Sequence, residues 1–333
     1  MDIVTLEHFS IDSVAGTVPG KIVDSKESLS RLVGEAKAAS IAAATGFATR
    51  RVVDGGLGVE ELALDAAKKA LRGMDASRLG GVIAVTFSKR RRFPALSIDL
   101  HRKLGLPADA PAFDIDMACS GYPYGLMAAG QLSAALSKPV LLVDGDAQSL
   151  FLGGSDPGTL AVMGDAATAT IVSAGRDAPP ARFAFLTRGD DGAALGCHQS
   201  GPITMDGFAV FKFVASDVTG FLKGFIAETG ADIDVFAPHL ANVYMARQLA
   251  KSLGLEDRLA TCEKCGAGNP GSASSALALA TMEARKGAFT ALVSGFGAGL
   301  GASAALVSVS PDACAGGGEY GIISCHGTPP RQH

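Results

Sequence analysis

Short unbroken apolar runs alternate along the chain with longer stretches whose apolar positions recur every three or four residues. From residue 59 the order is VEELALDAAKKALRGM, GGVIAVTF, FPALSIDLHRKLG, AFDIDMA, SGYPYGLMAAGQLSAALS, PVLLVDGD and ATATIVSA. The short runs lack the polar alternation of a half-exposed strand, which predicts buried, largely parallel strands with helices on both faces, an α/β fold. Pro, Gly and charge in AGRDAPPARFA, at 174–184, mark a seam. Beyond it come VASDVTGFLKGFIAETG, VFAPH, ANVYMARQLAKSLG, SASSALALATMEARKG and two strand-like runs in TALVSGFGAGLGASAALVSVS. Two halves are expected, 1–173 and 174–310. The remaining 311–333 have no sustained periodicity and are expected to be peripheral or disordered.

The second half is a weak copy of the first. IAVTFSKRRRFPALSIDLHRKLGL ends at Leu106, 13 residues before Cys119, and VFAPHLANVYMARQLAKSLGL ends at Leu255, 14 residues before Asn269. PVLLVDGD from Pro139 then aligns with TALVSGFG from Thr290, and the offset drifts from 149 to 151 as one-residue loop insertions would make it. A pseudo-twofold axis relating such halves brings Cys119 and Asn269 side by side. At the 149-residue offset His239 corresponds to Arg90, which predicts Arg90 near the entrance of the same site.

With 333 residues, 48% apolar and only 19% charged, the chain has a large core, and two closely packed halves fit better than independent domains. The 42 glycines and the lack of Trp fit tight packing among small side chains. A net charge of −4 argues against a nucleic-acid surface. Six cysteines without framework spacing, and an N-terminus (MDIVTLEHFS) with neither a basic nor an apolar leader segment, predict a cytoplasmic, reducing setting. Residues 287–311 carry no charge and are long enough to cross a bilayer, yet five glycines divide them into strand, turn and strand, so no membrane association is expected.

Cys119 follows a strand-like run and precedes a small-residue helix, a position where the helix dipole and free N–H groups are expected to lower a thiol pKa. His239 ends a strand-like run on the edge where α/β sheets present functional groups. Asn269 lies in the Gly-rich loop CGAGNPGSAS. A thiol, an imidazole and an amide at corresponding points of a duplicated fold suit acyl transfer through a thioester. Cys262 and Cys265 form a single CxxC without a second pair, too little for a metal site, and no metal is expected.

DIDMACSGYPYGL resembles the active-cysteine motif of the β-ketoacyl-acyl-carrier-protein synthase III family, APHLANVYM its His motif and GNPGSASSALAL its Asn motif. Further similarity runs through TGFATRRVV, RFPA, SDPGTLAVMGDAATA, ITMDGFAVFKF and SGFGAGLGASAALV, in family order over about residues 11–310. The resemblance implies a thiolase-like fold, duplicated βαβαβαββ halves in a five-layer αβαβα sandwich, usually homodimeric. It implies that Cys119 takes an acyl group from acyl-CoA or acyl-carrier protein. The tetrahedral oxyanion would be held by the backbone N–H groups of Cys119 and Ala298. His239 and Asn269 would then stabilise the enolate formed when malonyl-acyl carrier protein loses CO2. Phe93 matches a residue that reaches across the dimer into the partner's acyl pocket, and Phe211 is assigned to the substrate pocket. No cofactor is implied; the partners are acyl carrier protein and the acyl thioester.

Where the priming enzymes of that family contact the CoA nucleotide with Trp and Arg, this chain has Ser40 and Ala44, which leaves the donor open between CoA and a carrier. Tyr244 replaces an Arg used in carrier docking, with Arg247 one helical step away as a substitute, and the Asn loop holds one extra residue around Pro270 and Gly271. Lys89, Arg90, Arg91 and Arg92 form the densest basic run, either a solvated loop or a rim receiving an anionic partner. The alternatives are a ketosynthase or acyltransferase of specialised metabolism and a hydroxymethylglutaryl-CoA-synthase-like enzyme, although 86–92 lacks the Glu the latter needs. A papain-like hydrolase shares the order Cys, His, Asn but has no internal repeat. An inactive partner subunit would lack the nucleophile.

Overall fold

In a computed structural model, which describes residues 1–154, 156–198, 201–314 and 321–324, the repeat appears as two sheets of one topology. The first contains β1 (Ser10–Pro19), β2 (Gly81–Val85), β3 (Ala112–Ile115), β4 (Val140–Ala147) and β5 (Asp165–Ser173), in spatial order β3-β2-β4-β5-β1. β2 is parallel to β3 and β4, whereas β5 is antiparallel to β4 and β1. The second contains β6 (Ala181–Thr187), β7 (Val235–Pro238), β8 (Phe289–Gly297) and β9 (Gly301–Val309), in order β7-β8-β9-β6 with the same sense at each junction. Leu259, bridged in parallel to Phe236, stands where β3 stands in the first sheet. The sheets join where Val309 pairs with Ile11.

Helices α1 (Val59–Leu71), α2 (Leu96–Leu104) and α3 (Gly121–Leu136) belong to the first half, and α4 (Thr219–Thr229), α5 (Val243–Leu253) and α6 (Ser274–Ala280) to the second. α3 and α6 lie between the sheets, touching strands of both; α1 and α2 cover the outside of the first sheet. The strands are apolar on both faces because each face meets helices. Ile83 and Val85 point into the central core with Tyr122 and Leu126, while Val82 and Ala84 point into an outer core with Leu62 and Leu100. A third core joins Leu222 and Phe225 of α4 and Leu249 of α5 to Phe236, Leu292 and Leu306. Three cores between five layers give the αβαβα sandwich.

Residues 287–311 are accounted for by β8, a glycine-rich turn and β9, and no described helix is long and apolar enough to cross a membrane. The expectation of a peripheral or disordered tail needs correction. Ala313 and Cys314 are buried in the central core, and β10 (Gly321–Ile323) pairs in parallel with Thr17–Pro19. Residues 315–320 and 325–333 lie outside the described residues.

Candidate active site

The sandwich brings the starts of its two central helices together. A tight turn over Ala118–Ser120 joins β3 to α3, with Ala118 at φ 42°, a left-handed conformation that costs a non-glycine residue free energy. Strands of the other half hold this turn. Ser303 Oγ donates to Ser120 O at 2.7 Å, and Gly295 packs so closely that a Cβ there would lie 2.7 Å from Cys119 O and Ser120 Cα. The Cys119 turn therefore rests on β8 and β9, elements about 170 residues or more away in sequence.

Two cavities of about 180 Å³ each share Cys119, Met163 and Leu195. Phe87, Gln148, Ile203 and Ala298 line the first, and Val210, His239, Asn269 and Phe296 the second. The thiol is thus reachable from two sides, as transfer between a stored group and an incoming one requires.

Asn269 is fixed through its backbone. Its N–H donates to Val162 O at 2.8 Å, and its carbonyl accepts from Gly164 N at 3.0 Å and Gln148 Nε2 at 2.9 Å. Its side-chain Oδ1 accepts from Gly271 N–H at 2.9 Å, so the free end of the amide is its NH2 donor. His239 follows β7 directly, with its own N–H on Ser294 O at 2.7 Å. Its Nδ1 lies 3.0 Å from Gly271 O and 3.1 Å from Ser274 Oγ, and its ring meets Phe296 edge-on at 5.1 Å. Gly271, at φ 62°, therefore serves both side chains, its N–H orienting the amide and its carbonyl facing the imidazole. This is the residue region where the sequence carries one extra position.

Burial pushes His239 down to about 4, so the ring is neutral at pH 7. The expectation of a lowered thiol pKa is reversed. Burial first, and the nearby Asp146 carboxylate second, push Cys119 up to about 12, with its own backbone N–H opposing them. The intervening turn sets Cys119 before the first residue of α3, where its burial outweighs the helix end. Asp146 accepts from Thr86 Oγ1 at 2.9 Å and Phe87 N at 3.0 Å, and burial raises it to about 7. Asp144, two residues earlier on β4, is raised well above the carboxylate range for the same reason. Asp146, Gln148 and Ser274 were not singled out in the sequence, and Gly271 only as the place of the extra residue in the Asn loop. The one available signal was a pair of carboxylates inside the buried run PVLLVDGD, since charges are rarely buried without a task.

Cys119, Ala298, His239 and Asn269 thus converge, while the other candidates lie outside both cavities. Arg90 is ion-paired with Glu61 at 2.6 Å and Glu60 at 3.5 Å and, with Arg91, borders a separate surface cavity; Arg92 is exposed. The repeat offset misled here: the residue that follows β2 as His239 follows β7 is Thr86, because the basic run loops out after the strand. Arg247 pairs with Glu263 at 3.3 Å on the surface. Phe211 lines a groove with Tyr244 and Gln248, and its neighbour Val210 reaches the site instead, one residue further round the helix Gly207–Phe213. Phe93 is 85% exposed.

Residues 113–192 match the family model described as 3-oxoacyl-[acyl-carrier-protein (ACP)] synthase III, and residues 227–309 match that of its C-terminal part. The chain is 30% identical to beta-ketoacyl-[acyl-carrier-protein] synthase III 1 of Streptomyces coelicolor, over 89% of this chain and 95% of that protein. In structure it is similar to a 3-oxoacyl-(acyl-carrier protein) synthase from Burkholderia xenovorans (TM-score 0.87, 26% identity, 97% and 99% of the chains covered). It is also similar to the priming beta-ketosynthase of the R1128 polyketide biosynthetic pathway (TM-score 0.80, 25% identity, 92% and 97% covered).

Proposed function

Because the chain belongs to the 3-oxoacyl-[acyl-carrier-protein] synthase III family, a class of thiolase-fold condensing acyltransferases, we propose that Cys119, His239 and Asn269 carry its two half-reactions. The observation that carries this reading is the meeting of two cavities at one thiol, with an imidazole and an amide donor in only one of them.

In the first half-reaction Cys119 attacks an acyl thioester. The carbonyl oxygen becomes an oxyanion beside the N–H groups of Cys119 and Ala298, and the proton lost from Cys119 leaves on the departing thiol. The acyl chain then occupies the apolar cavity lined by Phe87 and Ile203. In the second, the malonyl thioester of acyl carrier protein enters by the cavity holding His239 and Asn269. Loss of CO2 leaves an enolate whose oxygen takes hydrogen bonds from both side chains. Its carbon attacks the acyl-Cys119 carbonyl, and the sulfur leaves as a thiolate that takes a proton from solvent. Two neutral donors suit this work, since the charge develops on one oxygen and a neutral His239 does not bind the ground-state carboxylate as an imidazolium would. No cofactor takes part in these steps.

We further read the protein as a cytoplasmic homodimer. Among the described residues β3 is the outer edge of the first sheet; Phe113 on it is 40% exposed and Phe93 85%, and a second copy would cover both. The direct test of the chemistry supplies malonyl-acyl carrier protein together with a panel of acyl-CoA and acyl-carrier donors. CO2 release with formation of a β-ketoacyl carrier protein is expected from the wild type and lost in Cys119→Ala. Hydrolysis of the donor without condensation in the wild type would favour a thioesterase instead.

A further inference from the structure

Resting on that reading, one buried hydroxyl has a task of its own. A neutral imidazole carries one ring proton, and His239 can donate to an enolate oxygen only if that proton is on Nε2 and Nδ1 is bare. Gly271 O, 3.0 Å from Nδ1, only accepts and therefore favours the opposite tautomer, with the proton on Nδ1 and a lone pair facing the cavity. Ser274 Oγ, 3.1 Å from Nδ1, is the other group in reach among the described residues and the one that can donate into it. The same hydroxyl lies 2.8 Å from Gly271 O, so its single hydrogen has two available acceptors and a rotation of the O–H bond chooses between them. Ser274 is 1% exposed, so bulk water does not compete for that hydrogen.

We propose that Ser274 is a positioning residue for condensation: its O–H turns from Gly271 O onto His239 Nδ1 and thereby holds the ring proton on Nε2, facing the enolate oxygen. The turn exchanges the two neutral hydrogen bonds that Gly271 O accepts, from Ser274 O–H and from Nδ1–H, for one from Ser274 O–H to Nδ1, with the Nδ1 proton released to solvent as Nε2 takes one up, a net loss of one neutral hydrogen bond. It is offset by the bond from Nε2–H to an anionic oxygen, since charge-assisted hydrogen bonds are roughly twice as strong as neutral ones. The acylation half-reaction needs no donor from His239 and does not depend on Ser274. Burial supports the scheme independently, because it makes a doubly protonated ring an unfavourable substitute.

The test separates the half-reactions. With butyryl-N-acetylcysteamine as loading probe and malonyl-acyl carrier protein as extender, Ser274→Ala is expected to load Cys119 within about twofold of the wild-type rate. Condensation should fall about 10- to 100-fold, the scale of one lost oxyanion donor weakened but not removed. In 15N spectra of histidine-labelled acyl-enzyme bound to a non-decarboxylating malonyl analogue, the His239 proton should sit on Nε2 in the wild type and on Nδ1 in Ser274→Ala. Equal condensation by the two proteins overturns the proposal. So does a wild-type ring protonated on Nδ1 in that complex, a result that needs no variant to fold. Failure of Cys119 to load in the wild type would instead remove the reading on which the proposal rests.

Discussion

Asp146 sets two opposing conditions on the molecule. Its folded pKa of about 7 lies above the ordinary 3.8, so the folded chain holds a proton that the unfolded chain has lost between those values. Stability from this group is complete below pH 3.8 and is lost as pH rises to about 7. Asp146→Asn should therefore gain stability over the wild type as pH rises from 4 to 7, by up to about 4 kcal/mol, seen as diverging urea midpoints. Above pH 7 the ionised carboxylate also holds the Cys119 thiol up, so the same variant should acylate about three- to tenfold faster at pH 8. No change in either measurement would remove Asp146 from the site's electrostatics. The residues proposed to carry the chemistry, Cys119, His239 and Asn269, were legible because each sits at a break in pattern, at a strand end or in a glycine loop. Asp146, Gln148 and Ser274 were not, because they are ordinary members of buried runs until the fold sets them against a partner from the other half. Arg90 shows the converse error: an alignment offset cannot see that a loop turns its side chain toward Glu60 and Glu61.

At the scale of elements, the repeat was the strongest signal and the sheets bear it out, down to α2 and α5 both ending on left-handed glycines, Gly105 at φ 73° and Gly254 at φ 69°. The helices Ser25–Val33 and Glu35–Thr45 escaped, the second for a physical reason. EAKAASIAAAT buries only Ala38 and so has no apolar face to give a helical period. The third strand of the second half shrank to a bridge at Leu259, which no pattern announced. A close interlock between the halves is β8 against the Cys119 turn, and it yields a prediction. Gly295→Ala puts a Cβ against backbone atoms of Cys119 and Ser120 that cannot yield as a side chain can. We expect a loss of about 1–3 kcal/mol in unfolding free energy together with a large drop in acylation rate. A variant as stable and as active as the wild type would show that β8 does not hold the thiol in place.

For the molecule as a whole, the proposed function calls for a homodimer through the β3 edge and a single thiol at the junction of two cavities. Phe93→Asp should weaken the dimer at least about tenfold in sedimentation equilibrium, as loss of a buried aromatic anchor does, while leaving the protomer folded. A wild type that sediments as a monomer at all concentrations would contradict the assembly but not the chemistry. The chemistry stands or falls on whether Cys119 stores an acyl group. Intact-mass analysis after incubation with a panel of acyl-CoAs and acyl carrier proteins decides this. An acyl adduct on the wild type that is absent from Cys119→Ala is predicted, and no adduct from any thioester would contradict the account.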